Sequence, residues 1–359
     1  MDRRVTRKVN IGDIIIGGNN PIAIQSMSNI DTRNIEAVCN QIDQLKEMGC
    51  DIMRLAVPTM EAAEAFGVIK KKSSLPLVAD IHFDYRLAIE SIRQGADKIR
   101  INPGNIGDLE NVKKIVNEAK AHCIPIRIGV NSGSLQKDIL EKYRGTVNAD
   151  GLVESAMRNV ELVSNMGFDD IVISLKASDP KMNFDSYMKI SNLVDYPLHI
   201  GVTEAGTVER GKIKSAVGIG GLLLCGVGDT LRVSLTGDPA NEIITAKSIL
   251  ASAGLTKESL NLVSCPTCAR TKTSLEKIIA DVEEKIAPII KAREENGKKS
   301  ITVAIMGCEV NGPGEAKSAD LGVACGDGVG VIFSKGKIIS KVNEEDICDR
   351  LIEMVKDYE

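Results

Sequence analysis

Short apolar runs recur along the first two thirds of the chain. They lie at 22–27 (IAIQSM), 52–57 (IMRLAV), 77–82 (LVADIH), 98–103 (KIRINP), 125–130 (PIRIGV), 171–176 (IVISLK), 197–202 (PLHIGV) and 230–235 (TLRVSL). Each has strand length, and the segments between them carry apolar residues at helical intervals, as in NIEAVCNQIDQLKEMG and YRLAIESIRQG. Strands alternating with helices predict a parallel sheet. Eight such units in about 250 residues predict an α/β fold of the (β/α)8 TIM-barrel kind over residues 1–253. The competing arrangement, a doubly wound open sheet, would usually show a Gly-rich phosphate loop after the first strand, and SMSNIDT is not one.

The pattern changes after about residue 254. A short strand, NLVSC, runs into a C-x-x-C pair, and a long charged amphipathic helix is expected over 272–296. TVAIMG, LGVACG and GVGVIFSKGKII follow with glycine turns between them, and EEDICDRLIEMVKD closes the chain as a helix. Residues 254–359 therefore read as a smaller α+β domain.

Composition narrows the class. Of 359 residues 43% are hydrophobic, aromatics make up 3% and tryptophan is absent, so the core must be aliphatic. The formal net charge of −4 speaks against general nucleic-acid binding and against a basic membrane-binding surface, so any basic site must be local. No apolar run reaches the ~20 residues of a membrane-spanning helix. The opening MDRRVTRKVNIGD has charge but no apolar stretch behind it, which reads as neither signal nor transit peptide, and a cytoplasmic protein is expected. Nine cysteines in such a chain point to metal or redox work rather than disulfides. Cys39, Cys50, Cys123, Cys225 and Cys348 stand singly in helix-like or apolar stretches and read as small buried hydrophobes.

In a barrel, alternate strand residues face inward and the active site lies at the carboxyl ends of the strands. By that parity Lys98, Arg100 and Asn102 share a face, as do Arg127, Gly129 and Asn131, and Thr230, Arg232 and Ser234. Arg54, Lys176, His199 and Thr203 lie at or near strand ends, with Asp80 and His82 together after the third strand and Glu204 after the seventh. One inward arginine is readily structural, paired with a neighbouring carboxylate. At least five cations against only Asp80 and Glu204 call for an anionic ligand, because buried cations need partners. Arginine forks suit phosphate oxygens, so the mouth reads as a site for a small, multiply phosphorylated molecule. The stretch GIGGLLLCGVGD before the eighth strand fits the usual phosphate position near strands seven and eight.

Cys265 and Cys268 in SCPTCART, with Cys308 in MGCEVNGPGE, form a second constellation. Structural zinc would take these three with Cys325, but a zinc ribbon pairs two C-x-x-C knuckles and Cys308 and Cys325 are too widely spaced. Three thiolates with this spacing also suit a [4Fe–4S] cluster. Glu315 and Cys325 both remain open as the fourth ligand. A carboxylate there would be harder and more exchangeable than thiolate and would leave one iron unlike the rest.

SCPTCART, MGCEVNGPGE, ADIHF, KIRINPGN, IRIGVNSGS, SLKAS, HIGVTEAG and DTLRVSL together resemble the 4-hydroxy-3-methylbut-2-enyl diphosphate synthase family of the methylerythritol phosphate route to isoprenoids, in its short bacterial form. The resemblance runs from about residue 3 to the end. It implies one [4Fe–4S] cluster per chain on Cys265, Cys268, Cys308 and Glu315. It implies two-electron reductive ring opening of 2-C-methyl-D-erythritol 2,4-cyclodiphosphate with loss of a hydroxyl as water. By motif it implies that Arg54, Arg100, Arg127, Asn131, Lys176 and Ser234 hold the diphosphate. His82, Thr203 and Glu204 match polar groups near the reacting carbons, with Glu204 as general acid, and Asn311 matches a residue that reaches the substrate. Flavodoxin or ferredoxin would supply electrons, and a homodimer would place each cluster domain over the partner's barrel. Two other readings compete: a barrel lyase using Lys176 as a Schiff base, and a metal-binding or redox-sensing scaffold with an empty mouth.

Overall fold

In the computed structural model the chain forms two compact units, Met1–Leu255 and Thr256–Glu359. The structure describes residues 2–257, 259–308, 316 and 318–358, except the side chains of 134, 294 and 295.

A hairpin of β1 (Val9–Ile11) and β2 (Ile14–Ile16) precedes eight parallel strands. These are β3 (Ala23–Met27), β4 (Ile52–Ala56), β5 (Leu77–Asp80), β6 (Lys98–Ile101), β7 (Ile126–Asn131), β8 (Ile171–Lys176), β9 (His199–Ile200) and β10 (Thr230–Leu231). They pair in the order β8-β7-β6-β5-β4-β3-β10-β9, and a bridge between Ile173 and Leu198 joins the two ends into a ring. The expected barrel is therefore present and the open sheet is not. The last two strands are only two residues long, yet Arg232 N–H still donates to the Ile200 carbonyl beyond them, so the chain keeps its course to the mouth.

The strand faces divide by chemistry. Outward residues such as Leu55, Ala79, Ile99, Ile128, Val130 and Ile173 are fully buried in one aliphatic core against the surrounding helices. Inward residues are largely polar. The amino end of the barrel is stoppered by an apolar layer, Ala23, Ile52, Val78 and Val172, packed on the hairpin's Val9, Ile11 and Ile16. Helix starts after the strands are capped: Thr59 accepts from Ala62 N–H, Asp84 from Arg86 N–H and Asp179 from Lys181 N–H. These three outer helices thus begin at a fixed residue just past the mouth.

The second unit is a five-stranded sheet in the order β11 (Leu260–Ser264), β12 (Ile301–Met306), β13 (Leu321–Cys325), β14 (Val329–Ser334), β15 (Lys337–Asn343). The first three strands are parallel and the rest antiparallel. Helices Leu275–Glu295 and Ile347–Asp357 pack on it through Val282, Ile286, Leu351 and Val355. No helix among the described residues is long and apolar enough to cross a membrane.

Candidate active site

Inward parity brings the mouth residues into one cavity of about 250 Å³, lined by Met27, Arg54, Asp80, His82, Arg100, Arg127, Asn131, Ser174, Lys176, Thr203, Arg232 and Ser234. Ten residues singled out by sequence meet here: Arg54, Asp80, His82, Arg100, Arg127, Asn131, Lys176, Thr203, Arg232 and Ser234.

Asp80 is the electrostatic hub. Its carboxylate lies 3.4 Å from Arg100 Nη1, 3.9 Å from Arg54 Nε and 3.5 Å from His82 Nε2. Burial resists its ionisation, but Arg54, His82 and Arg100 outweigh that and hold the carboxyl far below the ordinary range. Burial pushes Arg54 down to about 10, with Asp80 pulling the other way and Arg232 and Arg100 adding to the depression. Arg127 and Lys176 are driven down by burial and then by their cationic neighbours. Among the described residues, Lys176 forms no salt bridge with a carboxylate.

Two interior glycines make room for these side chains. A Cβ on Gly129 would stand 2.5 Å from Arg100 Nε. One on Gly201 would stand 2.6 Å from the Arg232 carbonyl oxygen and 2.9 Å from Lys176 Nζ. No side chain larger than hydrogen fits either position without moving a mouth residue.

Several expectations need correction. Glu204 does not line the cavity; its side chain is exposed, and its backbone sits in the left-handed region at φ 51°. Such backbone costs roughly 1–2 kcal/mol for a non-glycine residue and concentrates at functional loops. His199 lies beneath the mouth, fully buried, not at its rim. The glycine-rich stretch is helical from Ala216 through Leu224, and Gly226 and Gly228 lead into the amino end of β10. Its glycines pack against helices and the N-terminal segment, away from any phosphate position at the mouth. Cys123 is exposed, because it ends a helix in left-handed backbone, while Cys39, Cys225 and Cys348 are half-buried. Asn311 and Glu315 lie outside the described residues.

Met27, Ser174 and Glu242 were missed. Met27 and Ser174 were within reach of parity, two residues beyond Gln25 and two before Lys176. Glu242 sits on helix Ala240–Ser252, outside the strand pattern, and pairs with Arg232 at 3.0 Å and 3.3 Å. No strand periodicity signals it.

In the second unit Cys265 directly follows β11 and Cys308 stands two residues beyond β12, its parallel neighbour. Gly307 N–H donates to Cys265 Sγ at 3.2 Å. The backbone N–H and guanidinium of Arg270 and the Thr271 hydroxyl lower the Cys268 thiol. These contacts favour thiolate, so the donor set fits a soft metal centre. Cys325 differs: it faces the apolar core, and burial, then Glu344, raises it to about 12. A thiol held neutral suits the core better than a ligand. Among the described residues, no three His, Cys, Asp or Glu side chains lie close enough to hold a metal ion.

Residues 6–247 match the family model described as the GcpE TIM-barrel domain, and residues 261–357 match that of the GcpE protein C-terminal domain. A protein of Caldanaerobacter subterraneus subsp. tengcongensis, named 4-hydroxy-3-methylbut-2-en-1-yl diphosphate synthase (flavodoxin), is 55% identical over 354 residues, covering 99% of this chain and 97% of its own. One of the same name from Clostridium tetani is 55% identical over 356 residues, 99% of each chain. Among solved structures, type I 3-dehydroquinate dehydratase from Clostridium difficile matches with a TM-score of 0.51 at 14% identity, covering 69% of this chain and 97% of that one. That likeness concerns the barrel fold alone.

Proposed function

The chain belongs to the GcpE family, and from that membership we infer that it is the oxidoreductase that converts 2-C-methyl-D-erythritol 2,4-cyclodiphosphate into 4-hydroxy-3-methylbut-2-enyl diphosphate, a step of isoprenoid biosynthesis. The observation that carries this is the full-length identity to relatives named for that product. The cation-lined mouth supports it, because a cyclic diphosphate supplies the negative charge those side chains lack. The barrel-lyase and scaffold readings explain the mouth or the cysteines, but not both.

The family is an iron–sulfur enzyme. We assign one [4Fe–4S] cluster per chain to Cys265, Cys268, Cys308 and Glu315, which when bound supplies electrons one at a time. Arg54, Arg100, Arg127 and Lys176 hold the diphosphate and stabilise the phosphate oxygen as it parts from carbon. Asn131 and Ser234 add neutral hydrogen bonds, His82 and Thr203 stand by the reacting carbons, and Asn311 reaches the substrate. Glu204 gives its carboxyl proton to the hydroxyl oxygen that leaves as water, once its loop turns the side chain inward. Asp80 stays ionised and fixes Arg54, Arg100 and His82 around the substrate.

Flavodoxin, named for the relatives, is the donor assigned here. The active form is a cytoplasmic homodimer in which one chain's cluster domain serves its partner's barrel. The function is tested by purifying the protein without oxygen and measuring iron, sulfide and turnover of the cyclodiphosphate with reduced flavodoxin. About four irons and four sulfides with product formation support the reading. A cluster-loaded protein that binds the cyclodiphosphate without reducing it overturns it. Mixing Arg127→Met with Cys268→Ser tests the dimer: activity returns only if barrel and cluster come from different chains.

A further inference from the structure

The barrel is polar below the mouth as well. Between the cavity and the apolar stopper, Gln25, Lys98, Arg127, His199 and Thr230 point inward, each no more than 1% exposed. Lys98 Nζ, both ring nitrogens of His199, Gln25 Nε2, Arg127 Nε and Thr230 Oγ1 have no hydrogen-bond partner within the described protein. Lys98 Nζ thus finds no acceptor among the described protein groups, beneath the arginines.

The charges around it come from every strand of the ring that bears one. β4 brings Arg54, β5 Asp80 with His82 just past it, β6 Arg100 beside Lys98 itself, β7 Arg127, β8 Lys176, β9 His199 and the residue after β10 Arg232; β3 brings only Gln25 and Met27. Glu242 enters from the outer helix and is taken up by Arg232. Four arginines face two carboxylates before either lysine is charged. Guanidinium is the most basic side chain and gives up its charge last. The lysines and the histidine must yield first, and burial followed by the arginines drives Lys98 and His199 down together.

We propose that Lys98 is a neutral amine in the free barrel and takes up one proton from solvent when the cyclic diphosphate docks above it. This deepens, and rests on, the assignment of the mouth to that substrate. The two phosphate charges offset the surplus of the arginines, so the field at Lys98 Nζ no longer opposes an ammonium. The lone pair of Nζ accepts the proton, no bond in the substrate changes, and the complex enters the reaction with a proton already stored behind the diphosphate. None of the substrate-holding residues assigned above includes Lys98.

Calorimetric titration of the oxidised, cluster-loaded enzyme with the cyclic diphosphate reads the proton directly when run in two buffers of different ionisation enthalpy. The expected number is at least one, Lys98 contributing one proton beside any taken up by Lys176, with affinity strengthening about tenfold per unit of acidification for each proton taken up. Lys98→Met, or Lys98→Gln where the first does not fold, should lower the number by one and make the pH dependence shallower by about tenfold per unit. Wild-type binding without proton uptake overturns the proposal, as does full uptake in a folded variant. No binding in any buffer overturns instead the reading of the mouth as the diphosphate site.

Discussion

At the barrel mouth Arg54, Arg100 and Arg127 project from strands whose other faces are locked in the aliphatic core, and none is more than 9% exposed. In the second unit the cysteines stand past the ends of their strands, and Cys268 is exposed. The cations are held close together by parallel ladders with no ligand needed to gather them. Cys265 and Cys308 follow neighbouring parallel strands, and among the described residues no three metal-ligating side chains lie together. Folding of the barrel alone thus builds the first site nearly complete. Charge makes the frame necessary: like-charged guanidiniums would part unless rigid strands held them.

The largest break in this comparison comes from removing a thiol. Cys308→Ser should reduce turnover to background and lower bound iron, measured anaerobically. The barrel, folded without help from that site, should still bind the cyclodiphosphate within about twofold of wild type. A tenfold loss of affinity would mean that the two sites are not built independently.

Asp80→Asn tests the other side. Removing one partner of a buried ion pair costs ~3–5 kcal/mol, because Arg54 and Arg100 are left uncompensated. The pH dependence has a definite sign. The folded carboxyl lies below its ordinary 3.8, so its stabilisation is complete above that value and drains away as pH falls below it. Chemical denaturation between pH 3 and 7 should show wild type losing stability at the acid end and the variant changing less. Parallel curves would remove Asp80 from its central place.

Much of the mouth was legible in the sequence for a simple reason: strand parity has period two, so Arg100 and Lys98, or Arg127 and Asn131, announce a shared face. The same rule extends to Met27 and Ser174, which share their faces with Gln25 and Lys176. It cannot reach Glu242, which approaches from a helix, nor tell rim from interior, as the fully buried His199 shows. Glycine misled in one place and hid its role in another. GIGGLLLCGVGD looked like a phosphate loop, yet its first glycines serve helix packing. Gly129 and Gly201, inconspicuous in sequence, are the ones the site depends on. Glu204 was legible as a residue but not as an exposed side chain on strained backbone.

Gly129→Ala turns that last point into a smaller, local test. The added methyl would displace Arg100 from its position beside Asp80 and the Gly129 carbonyl. Affinity for the cyclodiphosphate should weaken about tenfold, or ~1.4 kcal/mol, in the range of one charge-assisted hydrogen bond. Unchanged binding would show that Arg100 adapts and that the frame is less rigid than the barrel walls suggest.

The smallest effect concerns Met27, whose sulfur accepts from Arg54 Nη2 at 2.8 Å and Nε at 3.1 Å, with Arg232 Nη1 at 3.8 Å. A thioether is a weak acceptor, an odd partner for a guanidinium unless a better one arrives. Met27→Leu keeps the volume and should cost the free protein under about 1.5 kcal/mol. If phosphate oxygens replace the sulfur on binding, that loss falls on the free state alone. A loss of ~0.5 kcal/mol there would then tighten binding by roughly two- to threefold. Weaker binding in the titration would carry the opposite lesson. Arg54 would then keep its sulfur contact in the complex, and Met27 would belong to the fixed frame that positions the cations.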